Sequence, residues 1–405
     1  MSDSDNIEPL LPDVTVPVND LIQGAADVHK KGEFKTAEAL YRKILKFHPK
    51  NADALHLLGF LAHQVGCGEE GLELIKEAIS YEPDVALFHS NLAKVCLGLK
   101  DTKQAEAAYR RYLELESGDL DIMNDLANLL REKEKGPGTK PLFEASELLG
   151  EVVRQKPMVP EYQVNFGNVL RDNFQLDEAN SCYEKALEID PHFTGALRNI
   201  GIIYFLKKDY DLAKEYLNKA LKLNPKDSAS LNNFAQILVS EHQLDKGIEY
   251  FDRALEFEPY DAKIFFNKGR ALMRRRRDEE ALEAFQKSME LDSSRSEAFS
   301  FFASMLRMME KIEESESFIR ASLVQFPDDL LLLTELAINL QFQFEFDESD
   351  KLARSILERA PYYGPALVVL AIVLIHTGEE EEVLASACGA ATAFLLVRVV
   401  LPPRS

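Results

Sequence analysis

The sequence predicts an all-α solenoid of repeated helix–turn–helix units. Three observations carry that prediction: a proline that returns every 34 residues, small residues at set places inside each interval, and apolar spacings of three, four and seven. Pro49 and Pro83, then Pro157, Pro191, Pro225 and Pro259, then Pro327 and Pro361 mark the period, and the step from Pro259 to Pro327 is two intervals. A chain of 405 residues has room for two or three compact domains, but a repeat in register overrides that reading of length. Apolar spacings of this kind build helices, and a unit with one apolar face buries it only by stacking on a neighbour.

Each element of the unit has a physical reason. A packing pair opens it, as in Leu58-Gly59, Phe166-Gly167, Ile200-Gly201 and Phe234-Ala235. A small residue follows 12 positions later, at Gly71, Ala179, Ala213, Gly247 and Ala281, because two antiparallel helices approach closely only where side-chain bulk is missing. A bulky residue comes four further on, at Ile75, Tyr183, Leu217, Phe251 and Phe285, and is expected to fill the gap between units. A second small residue follows at Ala78, Ala186, Ala220 and Ala254. The proline then stops the second helix, because it has no amide proton to continue the ladder. One unit is six residues longer than the rest: Leu126-Ala127 opens it, and register returns at Ala145 and Pro157. Gly136-Pro137-Gly138 inside that insertion breaks helices and predicts an exposed loop between the two helices of the unit, read either as neutral length variation or as a contact site at the rim.

A helix–turn–helix unit of 34 residues with these signature positions resembles the tetratricopeptide repeat (TPR). The resemblance runs from residue 18 to about 382 and implies a TPR solenoid, a right-handed superhelix of about ten full repeats and a degenerate eleventh. The family often has tryptophan near the start of the motif, whereas this chain has none and places Leu55, Leu197, Leu231, Phe265 or Phe299 there. Ser117 and Ser293 stand where two of the prolines would be. Residues 1–17 are acidic, proline-punctuated and without a basic start or apolar stretch, so they read as a disordered leader.

Composition narrows the function classes. The 47 basic residues against 68 acidic ones give a net charge of −21, which repels nucleic acid and anionic membrane. Four scattered cysteines without a CxxC pair argue against a zinc site or a disulfide framework and fit a reducing, cytoplasmic setting. There is no glycine-rich phosphate loop, HExxH, GxSxG or kinase signature, so neither an enzyme nor a cofactor or small-molecule substrate is predicted. His56 and His63 fall two turns apart on a helix but have no third ligand nearby, so no metal site is predicted. Pairs such as Glu69-Glu70, Glu279-Glu280 and Glu313-Glu314 suit the starts of second helices, where carboxylates complement the dipole.

The candidate site is a row of amides. Asn91, Asn165, Asn199, Asn233 and Asn267 stand immediately before the packing pair, in mid-helix, where asparagine is a mediocre helix former. Lining a groove, such amides would hold both the N–H and the C=O of an extended peptide. The row resembles the groove of the O-linked N-acetylglucosamine transferase superhelix, and the segment ADALHLLGFLAHQVG resembles SPINDLY-type bacterial proteins, in which the solenoid presents polypeptide to a catalytic domain. It is interrupted at Gln23, Leu57, Asp125, Phe301 and Glu335. Basic residues on the same helices, among them Arg198, Lys263 and Arg270 with Arg131, Arg171 and Arg307, would favour acidic peptides. Arg198, Asn233, Lys263 and Asn267 approximate a chaperone-tail carboxylate clamp, but Ile202 and Asn267 depart from it. The run Arg274–Arg277 ends a helix, where cations suit the dipole.

The expected function is therefore a non-catalytic protein–protein interaction scaffold or adaptor whose concave groove binds an extended peptide through the asparagines. The alternative is the substrate-recognition region of a glycosyltransferase or methyltransferase whose catalytic domain is not in this chain. Changing Asn165, Asn199, Asn233 and Asn267 to Ala is expected to weaken partner capture while helix stability holds or rises. Residues 383–405 form an apolar C-terminal segment. The stretch 383–401 carries one charge, Arg398, and reads as a final packing helix or an interface in preference to a membrane anchor.

Overall fold

The computed structural model describes residues 17–133 and 137–378, which contain 21 helices of 13 to 16 residues and no strand. The chain divides into two units, with the division after Ile203. The first holds α1 (Val18–Lys30), α2 (Phe34–Phe47), α3 (Ala52–Gln64), α4 (Gly68–Tyr81), α5 (Ala86–Gly98), α6 (Thr102–Leu115), α7 (Leu120–Lys133), α8 (Lys140–Gln155), α9 (Pro160–Asp172) and α10 (Leu176–Ile189), and most of α11 (Thr194–Leu206). The second holds α12 (Tyr210–Leu223), α13 (Ser228–Ser240), α14 (Leu244–Phe257), α15 (Ala262–Arg275), α16 (Asp278–Leu291), α17 (Ser296–Met308), α18 (Ile312–Gln325), α19 (Leu330–Phe342), α20 (Phe346–Arg359) and α21 (Gly364–Thr377). In the first unit each odd-numbered helix packs on the even-numbered one after it from α1 to α10, and each second helix on the next first helix from α2 to α9; in the second unit the same alternation runs from α12 to α21. This is the all-α, stacked helix-pair architecture the period predicts.

The local reasons match the repeat signature. Two residues after the repeat proline a side chain caps the next first helix: Asn51 Oδ1 accepts from the Ala54 amide at 2.8 Å, Asp261 from Ile264 at 3.1 Å and Asp329 from Leu332 at 2.9 Å. Gly59 and Gly71 let α3 and α4 touch backbone to backbone: a Cβ on Gly59 would lie 2.8 Å from the Gly71 carbonyl oxygen, and one on Gly71 2.5 Å from that of Gly59. In the α9–α10 pair the Tyr183 ring occupies the space a Cβ on Gly167 would need, at 2.5 Å. The gap-filling residues Ile75, Tyr183, Leu217, Phe251 and Phe285 are all buried, as the signature requires. Fully burying one such side chain contributes about 1.5–3 kcal/mol, so the stack is held by many local interfaces.

The turn inside each repeat has a feature that its residues do not announce. Gly32, Gly66 and Gly378 close their first helices in the left-handed region, and so do Lys100, Phe174, Lys208, His242, Arg276, Glu310 and Phe344, with φ from 60° to 65°. The following amide reaches back to close the turn, as Gln175 does to the Leu170 carbonyl at 2.9 Å and Asp101 to that of Cys96 at 2.8 Å. The closing geometry therefore overrides the glycine preference at these seven positions.

The longer repeat absorbs part of its insertion in α8, which has 16 residues where other second helices have 14. Residues 134–136 lie outside the described residues. Past them, the Gly138 amide is held by Asn173 Oδ1 at 3.2 Å. The leader through residue 16 and the segment 383–405 also lie outside the described residues. Among those described, no helix is long and apolar enough to cross a membrane.

Candidate functional site: polar rungs and the exposed face of α15

The mid-helix asparagines are first of all rungs between neighbouring first helices. Asn91 on α5 pairs through Nδ2 with His56 Nε2 on α3 at 2.8 Å. Asn165 on α9 donates to Asn124 Oδ1 on α7 at 2.8 Å, and Asn267 on α15 to Asn232 Oδ1 on α13 at 3.0 Å. In all three the acceptor is the residue just before the equivalent position in the preceding repeat. Asn199 on α11 meets the apolar Val164 at that place and instead donates to Asn168 Oδ1 on α9 at 2.9 Å, an oxygen that also receives the Tyr183 hydroxyl at 3.0 Å. Asn233 accepts a longer contact from Gln236 at 3.4 Å.

Burial separates the five further. Asn91 and Asn199 are buried, whereas Asn165, Asn233 and Asn267 are half-buried. The expectation that all five line an open groove therefore needs correcting at Asn91 and Asn199, whose amides are enclosed by their own stack. It follows that Ala at Asn91 does not leave stability untouched, because it strips the buried His56 acceptor of its donor, whereas Asn168 keeps the Tyr183 hydroxyl when Asn199 is lost. The acceptors His56, Asn124, Asn168 and Asn232 are the residues that reading one position per repeat passes over; the recurring step of 35 residues from His56 to Asn91 and from Asn232 to Asn267 was the available signal.

Where the asparagine row is interrupted, other polar contacts stand in. Glu335 on α19 pairs with Arg307 of α17, and the same guanidinium donates to Asn339 Oδ1 at 3.2 Å. Asp125 on α7 is half-buried, and burial holds its carboxyl above the usual range, against the pull of the Lys94 ammonium and of hydrogen bonds from Asn124 and Tyr109. His56 lies against the Phe88 ring, centroids 4.5 Å apart, and burial pushes its pKa down to about 4, so at neutral pH it is an uncharged acceptor for Asn91. Both contacts are structural.

The predicted cations divide by whether the fold neutralises them. Arg131 and Arg171 share Asp172, and Arg307 is taken by Glu335. Of the arginine run, Arg274 donates to the Val239 carbonyl at 3.1 Å, Arg275 pairs with Asp245 at 2.9 Å, and Arg277 with Glu280 at 2.6 Å. Arg198 is half-buried on α11. Lys263 and Arg270 are exposed, and no described carboxylate pairs with either side chain. Lys263, Asn267 and Arg270 are spaced four and three residues apart on α15, so they share one helix face. That face offers a flexible ammonium, an amide with one N–H already committed, and a guanidinium: donors for carboxylate or carbonyl oxygens, with no nucleophile or general base among them.

Comparison with known proteins agrees with this architecture. Tetratricopeptide-repeat family models match residues 195–227, residues 68–119 and 232–295, and residues 160–193. The human protein O-mannosyl-transferase TMTC1 is 29% identical over 189 residues, covering 46% of this chain and 21% of that protein. The chain thus spans about a fifth of the length of this curated relative. Yeast Tom70 matches 94% of the chain and 95% of its own structure at 16% identity and a TM-score of 0.52. A tetratricopeptide repeat protein from Parabacteroides merdae matches 59% of the chain and 93% of its own, at 15% identity and the same TM-score of 0.52.

Proposed function

Because the chain is a tetratricopeptide-repeat protein, we propose that it is a non-catalytic interaction scaffold or adaptor that binds an extended segment of a partner protein. The observation that carries the reading is the row Lys263, Asn267 and Arg270 on one face of α15, two of them exposed cations without a described carboxylate partner. In a chain of net charge −21, acidic side chains are plentiful, so cations left without one are positions open to a partner. Asn165 and Asn267 keep one amide proton beyond the rung bond and can add a main-chain contact worth about 0.5–1.5 kcal/mol. Asn91 and Asn199 serve the reading indirectly, by holding neighbouring first helices in register. Cytoplasmic residence goes with the proposal, supported by the unpaired thiols of Cys67, Cys96 and Cys182.

The test is selection of peptides on the purified protein from a displayed random library, followed by titration of the selected sequences. Enriched peptides that bind wild type and lose affinity in a Lys263→Ala, Asn267→Ala, Arg270→Ala variant of unchanged helicity support the reading. No enrichment over many rounds, or equal binding by the variant, overturns it.

A second reading has one observation behind it: the relative that matches almost half of the chain bears a transferase name. On that reading the repeats present polypeptide substrate to a glycosyltransferase domain. A transferase domain encoded in frame with these repeats would favour it, and selected peptides rich in Ser and Thr would agree with it.

A further inference from the structure

Resting on that peptide-binding reading, we propose that Arg270 and Arg295, whose guanidiniums both lie over Phe266 where α15 meets α17, form a receptor for the side-chain carboxylate of an acidic partner peptide. The site is built from an aromatic triangle. Phe266 and Phe301 meet edge to face with centroids 5.4 Å apart, Phe285 lies 5.6 Å from Phe301, and Phe285 lies 5.9 Å from Phe266. Two guanidiniums lie on this floor: Arg295 is 5.5 Å from the Phe266 centroid, and Arg270 is 5.9 Å from Phe266 and 5.7 Å from Phe301.

A guanidinium attracted to a ring keeps N–H donors along its edges, because the ring takes up none of them. Those edges are the fork that a carboxylate accepts in bidentate fashion. Neither arginine has a described hydrogen bond or ion pair from its side chain, and Arg295 Nε is buried without a partner. The contrast with their neighbours is informative: Arg275, Arg277 and Arg307 each have a carboxylate, and Arg274 has a carbonyl. Arg253 is likewise held by a ring, Tyr250 at 4.6 Å, but it lies on the second helix α14, and no second guanidinium is described over that ring. Asp261, the carboxylate nearest in sequence to Lys263, is committed to the amides of Lys263 and Ile264. Lys263 stands three residues before Phe266, on the same side of α15, and adds a third positive charge.

The site is distinct from a clamp of lysine and asparagine side chains. Phe266 and Phe285 are buried, so the rings hold the guanidiniums and it is the two cations that select, and the preferred occupant is the carboxylate of Glu or Asp.

The test is fluorescence anisotropy of the full chain with three labelled octapeptides alternating Leu with Glu, Gln or phosphoserine. Wild type should bind the Glu peptide at least about tenfold more tightly than the Gln peptide, the size expected of one charge-assisted contact pair. Arg270→Gln with Arg295→Gln should erase that preference without changing the circular dichroism. Arg270→Glu with Arg295→Glu should reverse it toward a Leu/Lys peptide. Should a variant fail to fold, wild type alone decides, since of the Glu and Gln peptides only the Glu peptide should weaken as salt rises. Equal binding of the Glu and Gln peptides overturns the inference but leaves the scaffold reading standing. Tighter binding of phosphoserine than of Glu overturns the carboxylate assignment. Binding of no peptide at millimolar concentration also overturns the inference, and the scaffold reading then rests on the library selection.

Discussion

The side-chain amide of Asn91 meets His56 Nε2 at 2.8 Å between α5 and α3, and both residues are buried. The amide nitrogen can only donate, so the imidazole accepts at Nε2 and carries its proton on Nδ1. A protonated His56 would present an N–H to an N–H in a site that excludes water.

Acid should therefore weaken this part of the molecule. Burial lowers the folded-state pKa of His56 to about 4, whereas the unfolded chain takes up the proton near 6.5. Between these values the unfolded state binds more protons, so stability is fully present above about pH 6.5 and falls as pH drops toward 4. The loss should reach about 3 kcal/mol, since each tenfold change in proton affinity between the two states is worth about 1.4 kcal/mol. Urea midpoints at pH 7.5 and 5.0 should show about 2 kcal/mol of it, since pH 5.0 lies about 1.5 units below the unfolded value, and His56→Gln should shrink the difference; an unchanged difference in that variant would place the acid sensitivity elsewhere.

The rung asparagines should separate by burial. Asn91→Ala leaves the buried His56 acceptor without its donor and should cost about 1–3 kcal/mol, whereas Asn199→Ala leaves Asn168 its Tyr183 donor and should cost about 0.5–1.5 kcal/mol. Asn233→Ala, at a half-buried residue whose contact to Gln236 is 3.4 Å, should stay within about 0.5 kcal/mol. Equal effects at all three positions in chemical denaturation would remove the distinction.

The backbone contact between Gly59 and Gly71 should tolerate no side chain. Ala at either place drives a methyl into a carbonyl oxygen at 2.8 Å or 2.5 Å, and overpacking of this kind costs about 1–3 kcal/mol. Gly24→Ala, in α1 with open space around it, should instead stabilise by about 0.4–1 kcal/mol. Thermal melts of the three variants check the order.

The left-handed turns should respond to glycine. Glu310 and Lys100 hold φ of 64° and 63° with exposed side chains, so Gly there relieves about 1 kcal/mol of steric cost, part of it offset by the greater freedom of glycine when unfolded. Glu310→Gly should raise the melting temperature slightly, and Gly66→Ala, at φ 91° in open space, should lower it. A Gly66→Ala protein as stable as wild type would show that the turn relaxes.

The period alone was enough to place the second helices, most of them just before a proline, the packing pairs, and the gap-filling residues Tyr183, Phe251 and Phe285. Those signals act within one repeat, and each is steric: a missing amide proton, a missing side chain, a volume to fill. The candidate site was legible only as a set of residue types. Asn91 and Asn267 look alike in sequence, yet one is sealed against His56 and Phe88 and the other is half-open beside Arg270. Which side of a first helix meets its neighbour depends on how successive helix pairs stack, and a slight rotation moves a mid-helix side chain from exposed face to seam. The sequence by itself determined a stack of helix pairs and the chemistry displayed along it. Only the tertiary structure decided that Asn91 and Asn199 are fasteners and that Arg270 and Arg295 lie over phenylalanine rings with no described carboxylate partner, because partners some 30 residues apart are chosen by packing and not by spacing.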